Sequence, residues 1–280
     1  MKSVLVIGAG VMGLGIAQIV SQKGLNVVLK DINYEIVKQG IEKINDRFKR
    51  LHGKGYISST ELENCLNRIN IYQNGKIYNL DLVIEAVFED IILKKKVINE
   101  IEDLCSKETI IASNTTSLSI TELSTVLKNP DRFIGMHFFN PVWAMQLIEI
   151  IPGMFTSQQT IETIKLFSKY IGKISVLVKE SVGGIVSRIL GSLINEAIFV
   201  YAEGVASAED IDTAMKLGSN LPIGPLHLAD LIGLDIHLAK MESLYREFGD
   251  SKYRPHPLLR KMVRGKCLGK KTGKGFFVYS

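Results

Sequence analysis

The chain has 280 residues, 46% of them hydrophobic and 22% charged, with a formal net charge of +5. It can bury a sizeable core and is long enough for about two domains. Its positive charge is mild and spread without a block resembling a nucleic-acid arm, so a small polyanionic ligand is expected rather than DNA.

The apolar residues Val4 to Ile7 read as a buried strand, and the run Gly8, Ala9, Gly10, Val11, Met12, Gly13 turns it into an amphipathic helix over residues 14–20. In such a turn Gly8 permits the tight bend, Gly10 lets backbone approach a pyrophosphate, and Gly13 lets the helix pack against the strand. A second strand over 26–30 ends at Asp31, about 20 residues on, where a carboxylate accepts from the adenosine ribose hydroxyls and disfavours a 2′-phosphate. NAD is therefore expected over NADP, a preference that Lys30 weakens slightly. The first 20 residues superficially resemble a secretory signal, but glycines at 8, 10, 13 and 15 interrupt the apolar run. No stretch reaches the roughly 18 apolar residues that span a bilayer, so a cytoplasmic protein without membrane contact is expected.

Further along, helices are expected over residues 34–51 and 60–66, and strands over 69–72 and 82–87. A helix over 91–104 follows, with Lys94, Lys95 and Lys96 taken as its solvated face. Next come strand 109–112, helix 119–127, strands 132–137 and 146–151, helix 157–171 and strand 175–178. Strand and helix in alternation imply a mostly parallel, doubly wound sheet covered by helices, an α/β domain of Rossmann type. From about Gly184 the pattern is helical only, over 185–203, 208–216, 225–232 and 234–248. The expected division is a dinucleotide-binding domain over 1–182 and a helical domain over 183–280, with a ligand cleft between them. Cys65, Cys105 and Cys267 are far apart and form no CxxC, so reduced thiols are expected, without a disulfide frame or a metal site.

Chemistry gathers in the later strands. His137 ends one strand, and Glu149 lies among aliphatic residues in the next, 12 positions on. An acid in such a strand is costly to bury without a partner, and His137 is the obvious one. The pair reads either as a structural tie or as a general base with a fixed tautomer. The dinucleotide turn favours the second reading, because hydride transfer from an alcohol carbon needs a base for the hydroxyl proton. His52, His227, His237 and His256 lack carboxylate or cysteine partners at metal-ligand spacing and read as structural or solvated. Trp143 either lines the pocket or packs. The aliphatic stripe Ile185, Ile189, Leu193, Ala197 and Val200 marks core or a subunit interface.

Seven motifs in order carry a resemblance: GAGVMGLGIA at 8–17, EAVFED at 85–90, ASNTTSLSI at 112–120, IGMHFFNPV at 134–142, DIDTAMKLG at 210–218, PIGPL at 222–226 and GKKTGKGFF at 269–277. The chain resembles the 3-hydroxyacyl-CoA dehydrogenases, particularly the short bacterial 3-hydroxybutyryl-CoA dehydrogenases. The resemblance implies a Rossmann-type NAD domain, a helical C-terminal domain that mediates homodimerisation, and oxidation of an (S)-3-hydroxyacyl-CoA to its 3-ketoacyl-CoA. It makes His137 the general base and Glu149 the residue that orients it. It places Lys54 and Arg50 where basic side chains hold the CoA phosphates, although a solvated lysine at a helix end is the alternative for Lys54. Glu89 falls where the family has an acid near the nicotinamide, and Asn114 where the backbone passes the cofactor.

Two positions depart from the family pattern. SNTSSL becomes Ser113 to Leu118 with Thr116, which keeps the hydroxyl donor for the reacting oxygen and adds a methyl group; adjacent Ser117 points away if the segment is extended. PGFxxNR becomes Val182 to Arg188, with Ser187 in place of the active-site asparagine, a shorter group that reaches substrate through a water. These changes bear on efficiency and substrate more than on fold or cofactor. They leave two other readings: a sibling dehydrogenase of a free hydroxy acid, of L-gulonate type, and a catalytically weak paralogue that binds NAD or acyl-CoA.

Overall fold

The computed structural model describes residues 1–72 and 80–279. They divide into two compact units, Met1–Ser181 and Val182–Ser280.

The first unit is built on an eight-stranded sheet. In chain order its elements are β1 (Ser3–Ile7), α1 (Val11–Gln22), β2 (Asn26–Lys30), α2 (Tyr34–Gly53), α3 (Ser59–Asn67), β3 (Ile69–Ile71), β4 (Leu82–Glu85) and α4 (Ile91–Glu102). Then follow β5 (Ile110–Ser113), α5 (Ile120–Ser124), β6 (Phe133–Phe138), β7 (Leu147–Pro152), α6 (Gln158–Tyr170) and β8 (Ile174–Leu177). The strand order is β3-β2-β1-β4-β5-β6-β7-β8, with every neighbouring pair parallel except β6 and β7. Strands covered on both faces need apolar side chains at successive positions, and β4 and β5 are buried along their whole length. One core cluster joins α1, α2 and α6 to one face of the sheet, and a second joins α4 and α5 to the other.

The helix expected over 119–127 is short and ends at Ser124. The Glu102 carboxylate takes the backbone N–H groups of Lys128 and Asn129, which fixes that segment in a non-helical path. The strand expected to reach residue 87 stops at Glu85, whose side chain takes the N–H of Val87 at 2.6 Å and bends the chain off the sheet.

The second unit is helical: α7 (Val186–Ala202), α8 (Ala208–Gly218), α9 (Pro225–Ile232), α10 (Leu234–Phe248) and α11 (Pro257–Arg264). Sequence reasoning did not anticipate α11, a helix of eight residues opened by a proline and capped by the His256 ring, which accepts from Leu258 N. Two buried carboxylates organise this unit. Asp212 accepts from Leu226 N, His227 N and His227 Nδ1 at 2.7–2.9 Å, so His227 has an acidic partner that its sequence spacing does not reveal. Asp230 accepts from Phe276 N, Phe277 N and Tyr279 Oη, each at 3.0 Å, and thereby pins the terminal segment to the helices. Among the described residues no helix is long and apolar enough to cross a membrane, and no group of three acidic, His or Cys side chains is placed to hold a metal ion.

Candidate active site

The strand ends of the first unit carry the site. At the end of β1, Gly8 adopts φ +105°, and a Cβ there would meet Ala86 O at 2.6 Å. A Cβ on Gly13 would lie 1.8 Å from Gly8 O, so only glycine lets α1 start this close to the turn. Above Gly10 the space is open, with nothing within 4 Å of where a Cβ would stand, and no side chain caps α1. The helix N-terminus therefore presents donors and its positive dipole end to an open cradle, which fits a pyrophosphate. Asp31, just past β2, is fixed beside the turn by accepting from Ala9 N and Ile32 N at 2.6 Å each. The neighbouring Lys30 ammonium sits over the Tyr72 ring, 5.4 Å from its centroid.

A buried charge network lies at the ends of β4 and β5. Glu85 accepts from Lys94 Nζ at 2.7 Å, Ser113 Oγ at 2.6 Å and Val87 N. Lys94, expected on the solvated face of its helix, is instead fully buried. The sheet covers the first turns of α4, and the Lys94 stem fills that space while its ammonium reaches Glu85 and, at 3.7 Å, Glu89. Glu89 Oε1 in turn accepts from Thr115 Oγ1, Thr116 N, Ser117 N and Ser117 Oγ at 2.7–3.1 Å. Burial alone would raise the Glu89 pKa, but the Lys94 charge and the Thr115, Ser117 and Thr116 donors outweigh it and hold the carboxyl below its usual range. Residues 116–118 form a bend rather than an extended strand, and the Ser117 hydroxyl is committed to Glu89.

That bend brings Thr116 to His137. The register of β6 and β7 sets His137 directly opposite Glu149, and His137 Nδ1 lies 2.9 Å from Glu149 Oε2, with both side chains buried. An ionised Glu149 accepts from Nδ1–H, which leaves Nε2 as the acceptor of the ring. Thr116 Oγ1 is 3.2 Å from Nε2 and can donate to it. Asn114 holds the strand end in place, its Oδ1 accepting from Phe138 N at 2.8 Å and its own N–H donating to Glu85 O. The Phe139 ring packs beside the imidazole, centroid to centroid at 4.4 Å.

Arg50, Lys54 and Ser187 are the remaining sequence-selected residues. Arg50, exposed in the last turn of α2, donates through Nε to Asp46 O, and exposed Lys54 is the residue that ends this helix. Ser187 is buried in the first turn of α7 in the second unit.

Residues 3–181 match the model of the 3-hydroxyacyl-CoA dehydrogenase NAD-binding domain, and residues 183–279 match that of the same family's C-terminal domain. The chain belongs to the 3-hydroxyacyl-CoA dehydrogenase family. Like other members it carries an NAD-binding domain, and the cradle at Gly8 to Gly13 with Asp31 beside it agrees with that cofactor. This family member is 48% identical to a 3-hydroxybutyryl-CoA dehydrogenase of Clostridioides difficile over 98% of both chains. It is 45% identical to a probable 3-hydroxybutyryl-CoA dehydrogenase of Bacillus subtilis over 99% of this chain and 97% of the relative. The crystal structure of (S)-3-hydroxybutyryl-CoA dehydrogenase from Ralstonia eutropha superposes with a TM-score of 0.96 at 48% identity, covering 100% of this chain and 99% of that one.

Sequence reasoning missed the roles of Glu85, Lys94 and Ser113. The signal was present: Lys94 shares the face of Ile91, Ile98 and Ile101 by helical spacing, and an acid that ends an apolar strand needs a buried cation or donor.

Proposed function

We propose that this dehydrogenase interconverts (S)-3-hydroxybutyryl-CoA and acetoacetyl-CoA, with His137 as general base and Glu149 as the residue that orients it. The observation that carries this reading is the line Glu149–His137–Thr116, in which one imidazole nitrogen faces a buried carboxylate and the other a hydroxyl. In the oxidative direction the substrate hydroxyl takes its place at His137 Nε2, which removes the proton. The Glu149 carboxylate, buried beside Nδ1, stabilises the imidazolium that forms. Thr116 then donates to the reacting oxygen, which becomes the carbonyl. Bound NAD supplies the hydride acceptor for C3. Reduction runs the same steps backward, with the imidazolium as proton donor.

Gly8, Gly10, Val11, Met12, Gly13 and Asp31 hold the dinucleotide in this reading, and Glu89 and Asn114 border its reactive end. Arg50 and Lys54 hold the CoA phosphates, and Ser187 contacts substrate as the family's asparagine does. We further assign the protein to the cytoplasm, as a homodimer paired through its helical unit. Support for the reaction and its substrate comes from the relatives named above and from the near-complete superposition on an (S)-specific enzyme.

The test is loss of NADH with acetoacetyl-CoA, run beside free acetoacetate and beside His137→Ala. Turnover on the thioester alone, abolished by His137→Ala, is expected. Turnover on free acetoacetate would replace the reading with a hydroxy-acid dehydrogenase, and tight NADH binding without turnover would replace it with a binding paralogue.

A further inference from the structure

A lysine remote in sequence from His137 holds the turn that follows its strand. Lys173 stands between α6 and β8, where Gly172 at φ +79° reverses the chain and Lys173 N closes the end of α6 on Ser168 O. From there Lys173 Nζ donates to Val142 O and Met145 O, at 2.5 and 2.6 Å, carbonyls on either side of Trp143 and Ala144. Ala144 N and Met145 N close the same turn on Pro141 O. Bonds from an ionised donor are about twice as strong as neutral ones, so the ammonium clamps this turn more firmly than its backbone pairs do. Burial lowers the Lys173 pKa, as expected of an ammonium that has exchanged water for two carbonyls.

The clamped turn joins the imidazole to the dinucleotide helix. Only Phe139 and Asn140 separate β6 from Pro141, and the Phe139 ring packs beside His137. Val142 is buried against α1, where a Cβ on Gly15 would stand 2.8 Å from Val142 Cβ and Cγ2. Bare helix backbone thus receives this side chain, and α1 is the helix whose N-terminus opens on the glycine cradle. Trp143, next in the turn, takes the Arg47 guanidinium of α2 over its ring, 4.4 Å from the centroid. The turn therefore fixes the end of β6 against α1 and α2 together. Hydride transfer is sensitive to such spacing, since a misplacement of about 1 Å can cost about 100-fold in rate.

Resting on the reaction proposed above, we infer that Lys173 is a positioning residue for hydride transfer. By clamping the turn over residues 141–145 it holds His137, and with it the substrate carbon, at a set distance from the helix that faces the cofactor. Lys173 touches neither reactant.

The test compares the whole protein with Lys173→Met, which removes the donors, and Lys173→Arg, which keeps a cation able to donate to two carbonyls. A Tm close to that of wild type certifies each fold, and Lys173→Gln stands in if Lys173→Met fails that check. Trp143 is the single tryptophan of the chain, so acrylamide quenching of its emission reports on this turn alone. Quenching should rise in Lys173→Met and return towards the wild-type value in Lys173→Arg. The single-turnover rate of NADH oxidation by saturating acetoacetyl-CoA should fall about tenfold or more in Lys173→Met and be largely restored in Lys173→Arg. The Kd for NADH and the KM for acetoacetyl-CoA should stay within about twofold of wild type, because neither ligand loses a contact. A wild-type rate in Lys173→Met, unaltered quenching, or a loss that falls on NADH affinity instead of rate overturns the inference and leaves the substrate reading standing. Absence of acetoacetyl-CoA reduction by the wild-type protein overturns the substrate reading and this inference with it.

Discussion

His137 and Glu149 face each other across the antiparallel β6–β7 pair of an otherwise parallel sheet, Nδ1 to Oε2 at 2.9 Å. A shift of register by one residue would send the two side chains to opposite faces, so the strand pairing itself sets the tautomer of the imidazole. Replacing Glu149 by Gln keeps the shape and removes the charge that stabilises the imidazolium. We expect Glu149→Gln to lower kcat by about 100-fold or more while NADH affinity is retained. Steady-state kinetics with fluorescence titration of NADH checks this, and an unchanged kcat would reduce the pair to a structural tie.

Thr116 supplies the second hydrogen bond to the imidazole, at 3.2 Å. Thr116→Ser keeps the donor and removes the methyl, so its kcat should equal or exceed that of wild type. Thr116→Ala removes the donor and should lose about 10- to 100-fold in kcat. Equal rates for the two variants would show that the hydroxyl takes no part.

The Lys94–Glu85 pair is fully buried, with Glu89 close by. Lys94→Met keeps most of the volume but strands the Glu85 carboxylate, at a cost of about 3–5 kcal/mol. Thermal unfolding should show a marked fall in Tm for Lys94→Met, partly restored in the double variant that adds Glu85→Gln. A single variant as stable as wild type would mean that water or relaxation already screens the pair.

His237 on α10 is fully buried, and neither ring nitrogen has a hydrogen-bond partner among the described residues. Burial, helped by the Lys240 charge, lowers its pKa from 6.5 to about 3. A base with a lowered folded-state pKa costs nothing above pH 6.5. As pH falls from about 6.5 towards 3, the unfolded chain binds a proton that the folded chain does not, and stability declines by about 1.4 kcal/mol per pH unit. Urea unfolding at pH 7 and pH 5 should therefore show a steeper loss for wild type than for His237→Leu, by about 2 kcal/mol. Parallel losses in the two proteins would refute the burial of a neutral imidazole.

The sheet was legible because strands covered on both faces leave continuous apolar runs, as in Val4 to Ile7 and Leu82 to Ile84. The glycine turn and the His137–Glu149 pair were legible for a related reason: each departs from the local pattern in a way that only one kind of geometry tolerates. Lys94 was misread because its charge was weighed above its position on the helix face. The Arg47–Trp143 contact joins residues 96 positions apart, and no local periodicity announces such a pairing. The same holds for Asp230, whose sequence neighbours are ordinary helix residues and whose three donors arrive from the far end of the unit.

That last arrangement governs when the helical unit can mature. The donors to Asp230 come from 46 to 49 positions downstream, so the carboxylate gains its partners only once Phe276, Phe277 and Tyr279 have packed onto the helices. Until then an acid stands unsatisfied among apolar helices, and a nascent chain interrupted before this point would hold α9 open to proteases.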